Sequence, residues 1–120
     1  MPESQTIDMQ AINGLRELSP DAADEFLREL IDIYLQDTPL RMAELEEALR
    51  KNDLPALIRA AHTIKGSSSN FGATVFTKLA HEIELQGKGG NVSETPASCL
   101  KLKSEYTLVA ATLAKIAKGE

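Results

Sequence analysis

At 120 residues, 42% hydrophobic and 4% aromatic with no Trp, the chain is sized for one domain around one core of Leu, Ile and Ala. Its net charge of −5 excludes a global electrostatic pull toward nucleic acid or an anionic membrane, and a single cysteine, Cys99, excludes an intrachain disulfide or a cysteine-rich zinc site. No apolar run approaches the roughly 18 residues of a membrane span, and the N-terminus has neither the basic nor the apolar region of a signal peptide. A reduced, cytoplasmic setting is the expectation.

Residues 1–6 are polar and expected to be frayed. Ile7, Met9, Ile12, Leu15 and Leu18 predict a short first helix with Asp8 as its cap. Ser19-Pro20-Asp21 is a helix start: a capping serine, a proline tolerated at the first helical position, then an acid. The helix over 20–37 carries Phe26, Leu27, Leu30, Ile31, Ile33, Tyr34 and Leu35, more than one narrow stripe. Ile31 and Tyr34 are therefore candidates for apolar surface offered to a partner. Thr38-Pro39 repeats the start signal and predicts a new helix to about Lys51, which Asn52-Asp53 breaks. A fourth helix follows over about 54–70.

A fifth, about 73–87, carries Phe76, Leu79, Ala80 and Ile83, and Gly87, Gly89 and Gly90 are expected to end it. The last starts near 93–96, where Cys99, Leu102, Tyr106, Val109, Leu113 and Ile116 keep a heptad-like rhythm and make Cys99 a buried structural thiol. No segment alternates like a strand. The expected fold is all-α: an antiparallel four-helix bundle over about 20–118, with the first helix as a short cover, in a single domain spanning 1–120.

The stretch from Ala60 to Ala73, AAHTIKGSSSNFGA, holds one of two histidines. On a wheel with Leu57 at zero, Leu54, Ala61, Ile64, Ser68 and Phe71 fall within about 60° and form the buried stripe. His62 falls at about 140°, Gly66 at about 180°, Ser69 near 120°, Lys65 near 80°, Ile58 near 100° and Arg59 near 200°. His62 is thus predicted to face solvent, one turn from Lys65 and Gly66.

A mid-helix glycine costs about 1 kcal/mol relative to alanine. Beside His62 it would give a bulky group access to the imidazole. The neutral ring is a nucleophile, and a lysine at i+3 suits an anion attached to it, which points to a phosphoryl group. Ile58 and Arg59, flanking His62, would supply the apolar and basic parts of a docking face.

The run Ala61-His62-Thr63-Ile64-Lys65-Gly66-Ser67-Ser68-Ser69-Asn70-Phe71-Gly72-Ala73 resembles the signature of histidine phosphotransfer (HPt) domains, A-H-x-[LI]-K-G-[SA]-[SA]-x-x-[LFV]-G-[AL]. The Asp-Thr-Pro ending of the upstream helix and the segment Leu79–Gly87 are also similar, so the resemblance covers about residues 7–118. It implies a four-helix bundle with His62 phosphorylated, Lys65 stabilising the phosphoryl charge, Gly66 giving clearance and Ser69 near the imidazole. It further implies a phosphorelay intermediate passing phosphoryl groups between receiver aspartates. The expected partners are response-regulator receiver domains and a hybrid sensor histidine kinase. No cofactor is expected in the chain itself, magnesium being held by the receiver, and a monomer is expected.

Other readings are weaker. His81 lies outside the H-E-x-x-H spacing and is expected to be a structural or surface residue. Lys65-Gly66-Ser67-Ser68 lacks the order and the preceding strand of a phosphate loop. The serines beside His62 lack an orienting carboxylate for nucleophilic catalysis. A helical adaptor that is never phosphorylated is the alternative, against which the intact His-x-x-Lys-Gly argues. A kinase fragment is disfavoured because no nucleotide-binding segment is visible. The initiating Met and polar ends are those expected of a free-standing chain.

Overall fold

The computed structural model describes residues 6–119, so the expected fraying of 1–6 falls almost wholly outside the described residues. Helix α1 spans Met9–Arg16 and starts where Asp8 accepts a hydrogen bond from the Gln10 amide at 2.9 Å. Helix α2 spans Ala23–Arg50, α3 Leu54–Ser69, α4 Thr74–Gly89 and α5 Thr95–Ala117. Helix α3 packs on α2 and α4, and α5 closes the ring by packing on α4 and α2. Short links join these successive neighbours, which makes the four-helix bundle antiparallel.

Three of the predicted helix limits differ. Ser19 makes no side-chain cap; Pro20–Ala22 forms one 3-10 turn, and α2 begins after it with Asp24 and Glu25 in its first turn. Thr38-Pro39 does not start a new helix, because α2 runs through it as one rod of 28 residues. The reason lies four residues upstream. Proline cannot donate to the Leu35 carbonyl, and that carbonyl instead accepts a long hydrogen bond of 3.5 Å from the Tyr106 hydroxyl on α5. The buried stripe Leu27, Ile31, Tyr34, Thr38, Met42, Leu45 and Ala48 also crosses Pro39 at unbroken helical spacing.

Of the three glycines expected to end α4, Gly89 and Gly90 do so and Gly87 does not. The helix continues to Gly89, and Gly90 takes the left-handed conformation beyond it (φ 76°). Gly87 is buried where α4 meets α3: a Cβ there would lie 2.8 Å from Ile58 Cγ1 and 3.0 Å from Leu57 Cδ2.

The core is built from Leu27, Ile31 and Leu45 of α2, Leu57 and Ile64 of α3, Phe76 and Ile83 of α4, and Leu102, Val109 and Leu113 of α5. Each such side chain contributes about 1.5–3 kcal/mol by leaving water. Cys99 joins this core as a free thiol. Helix α1 buries Ile12 and covers the α3–α4 link, where the Asp8 amide donates to the Gly72 carbonyl at 2.8 Å. Gly72 has φ 70°, and a Cβ on it would meet the Asp8 carbonyl at 2.7 Å. Only glycine fits that approach. Among the described residues, no helix is long and apolar enough to cross a membrane.

Candidate functional site

Helix α3 is oriented by its inner face. Leu57, Ala61, Ile64 and Ser68 are buried, and Phe71 is buried just after the helix ends. Ser68 is satisfied in the core by a 2.6 Å hydrogen bond with the Tyr34 hydroxyl, and the Tyr34 and Phe71 rings meet with centroids 4.8 Å apart. Burial pushes the Tyr34 phenol up to about 12, with the Ser68 hydrogen bond working the other way. These contacts fix the roll of α3 against α2. They also correct one expectation: Ile31 and Tyr34 are core residues, 0% and 3% exposed, and are unavailable to a partner. The surplus apolar residues of α2 that do reach solvent are Ile33 and Leu40.

With the inner face fixed, His62 projects outward, its side chain 66% exposed. Its ring is nevertheless held from one side. His62 Nδ1 lies 3.0 Å from Oε2 of Glu84 on α4. A carboxylate only accepts, so Nδ1 carries the proton and donates, and in the neutral ring Nε2 is then the bare nitrogen. A Cβ built on Gly66 would meet nothing within 4 Å, so the space at Gly66, one turn on from His62, is open.

Lys65 Nζ lies 2.7 Å from Glu84 Oε1, a charge contact without hydrogen-bond alignment. Lys88 Nζ reaches Oε2 at 3.2 Å. His81 Nδ1 lies 3.5 Å from Lys65 Nζ and 3.7 Å from Glu84 Oε1. His81 is therefore a surface residue, as expected, but one that borders the site. The Glu84 side chain is 2% exposed, with these four side chains around its carboxylate. Burial works to raise its carboxyl, but Lys65, Lys88 and His62 together outweigh burial and hold it at about 2. Glu84 is thus an anion at neutral pH, in contact with His62 and with two ammonium groups.

Ser69 is exposed, and its hydroxyl donates back to the Gly66 carbonyl at 3.0 Å; no hydrogen bond ties it to the imidazole. Ile58 is half-buried and seated on Gly87, while Arg59 is exposed beside the α2–α3 link. The residues that sequence reasoning missed are Glu84 and Lys88. A signal for Glu84 existed: it falls within the apolar stripe Phe76, Ala80, Ile83 and Gly87, where an unpaired acid would be costly.

A family model described as Hpt domain matches residues 29–112. The chain belongs to the Hpt domain family. Among solved structures, this Hpt chain is similar to histidine-containing phosphotransfer protein B (HptB) of Pseudomonas aeruginosa PAO1. The two share 25% identity with a TM-score of 0.88, covering 98% of this chain and 99% of that one. The HPT domain of a sensor hybrid histidine kinase from Shewanella superposes with a TM-score of 0.73 at 22% identity over 96% of each chain, a likeness of fold.

Two curated relatives share part of the sequence. Multistep phosphorelay regulator 1 of Schizosaccharomyces pombe is 31% identical over 85 residues, which is 71% of this chain and 29% of that protein. Phosphorelay intermediate protein rdeA of Dictyostelium discoideum is 29% identical over 95 residues, 79% of this chain and 37% of that protein. The Hpt chain thus spans about a third of the length of each.

Proposed function

We propose that this Hpt domain is a phosphorelay intermediate in which His62 Nε2 is the atom that carries the phosphoryl group. The observation that supports the reading is the Nδ1 contact with Glu84 at 3.0 Å, which in the neutral ring makes Nε2 the free nitrogen of an exposed histidine, one turn from the open space at Gly66. In the accepting step the Nε2 lone pair attacks the phosphorus of a receiver aspartyl-phosphate. The bond from phosphorus to the carboxylate oxygen breaks, and the aspartate leaves with that electron pair. The Nδ1 proton stays on the ring, where Glu84 offsets the positive charge that forms. Passing the group to a second receiver aspartate is the reverse of this step.

Lys65 would neutralise oxygens of the phosphoryl group, and Gly66 would admit the receiver. The partners we propose are response-regulator receiver domains and a hybrid sensor histidine kinase, in keeping with the similarity to two phosphorelay proteins and to the HPT domain of a sensor hybrid histidine kinase. The receiver would bring the divalent cation its own acidic pocket holds, and nucleotide chemistry would belong to the kinase. Ile58 and Arg59 remain the proposed docking residues, joined by exposed Ile33 if the receiver covers α2 as well.

Incubation with a phosphorylated receiver tests this. Wild type is expected to take up acid-labile, alkali-stable label, and His62→Gln to take up none. Label on the Gln variant at the wild-type level, or none on wild type from any receiver donor, would sink the proposal.

A further inference from the structure

Lys88 stands one turn beyond Glu84 on α4, and no sequence signal marked it. Its Nζ lies 3.2 Å from Glu84 Oε2, the same oxygen that His62 Nδ1 contacts at 3.0 Å. Two groups on one oxygen are close neighbours, so Lys88 flanks the imidazole. Lys65 approaches the other oxygen, Oε1, at 2.7 Å. The carboxylate therefore separates the two ammonium groups and supplies one negative charge between them.

The charge count has a consequence. With both imidazoles neutral, Glu84 balances one lysine and leaves one positive charge over. Lys65 is the more committed of the two, 27% exposed and wedged between Glu84 and His81. Lys88 is 56% exposed and has Glu84 as its ion-pair partner at the longer distance. The base of its side chain is fixed, because the adjoining Gly87 is pressed against Ile58, one turn before His62. A long, mobile ammonium on a fixed root can swing from Oε2 to a group carried on the ring.

Resting on the phosphocarrier reading, we propose that Lys88 is a second phosphoryl-binding residue. It is held by Glu84 while His62 is unmodified and turns to the phosphoryl oxygens when His62 is modified. Lys65 and Lys88 would then grip the group from two sides, with Glu84 keeping the Nδ1 proton between them.

Phosphoramidate, a small donor that phosphorylates imidazole directly, tests this without receiver docking. Lys88→Ala is expected to label more slowly than wild type by up to about fivefold, the upper end for an exposed charge pair, and Lys88→Arg to recover most of the loss. In the unmodified protein, ¹⁵N chemical shifts of the His62 ring should be unchanged by Lys88→Ala, which separates contact with the phosphoryl group from action through Glu84. The loss should also persist in a Glu84→Gln background. Wild-type labelling in Lys88→Ala, an altered His62 tautomer, or a loss that vanishes with Glu84→Gln would each overturn the role of Lys88 while leaving the phosphocarrier reading intact. No label on wild type from phosphoramidate or from a phosphorylated receiver would overturn both.

Discussion

Glu84 is the residue on which the site turns, and its charge can be tested apart from its shape. Its folded carboxyl sits at about 2 against an ordinary 4.5, so the ionised form is favoured by the fold. The stability from its contacts is complete above pH 4.5 and drains away as the pH falls toward 2. Urea titrations across that window should show wild type losing stability more steeply than Glu84→Gln; parallel curves would mean that the carboxylate is not coupled to folding. The contrast with His62, Lys65 and Gly66 explains what could be read from the sequence. Those three share one helix, so a 3.6-residue period and a contiguous motif place them together. The meaning of Glu84 depends on side chains from a second helix, and the wheel of α4 alone gives only an acid on an apolar stripe.

Helix α2 shows how an element can outvote a local signal. Thr-Pro is a good helix start in isolation, but here the apolar period continues across it and Tyr106 accommodates the carbonyl that Pro39 leaves free. Propensity is a weak prior against burial along a whole face. If Tyr106 performs this service, Tyr106→Phe should cost about 1 kcal/mol of stability. In a Pro39→Ala background, where an amide again serves the Leu35 carbonyl, most of that cost should disappear. A double-mutant cycle in denaturant measures the coupling, and strict additivity would show that the hydroxyl and the proline are independent. The remaining limits were legible where the cap carries its own chemistry: Asp8 and Asp53 both accept from amides at the helix starts predicted for them.

Across the molecule, charge is distributed against its own total. The chain carries −5 overall, yet cationic side chains gather around His62, with Lys65 and Lys88 at the carboxylate and Lys78 along the adjoining groove. An acidic partner would meet a basic island on an acidic body, which orients approach as well as attracting it. Screening at physiological ionic strength acts beyond about 8 Å, so encounter is more sensitive to salt than contacts made after docking. Transfer from a phosphorylated receiver should therefore slow with rising salt more steeply than labelling by phosphoramidate. Equal slopes would remove steering from the account. The four-helix architecture itself was readable from period and link length, because Leu, Ile and Ala at regular spacing leave few alternatives for a chain of this size.

Gly87 acts as a spacing gauge. The gap it leaves to the Ile58 and Leu57 side chains of α3 is too small for a methyl group, at a point one turn before His62 on one side and beside Lys88 on the other. Drift elsewhere in the bundle can be absorbed by repacking, but an error here would be read out directly as a longer reach from Glu84 to the imidazole. The close packing of α3 against α4 at this point thus depends on an atom that is not there.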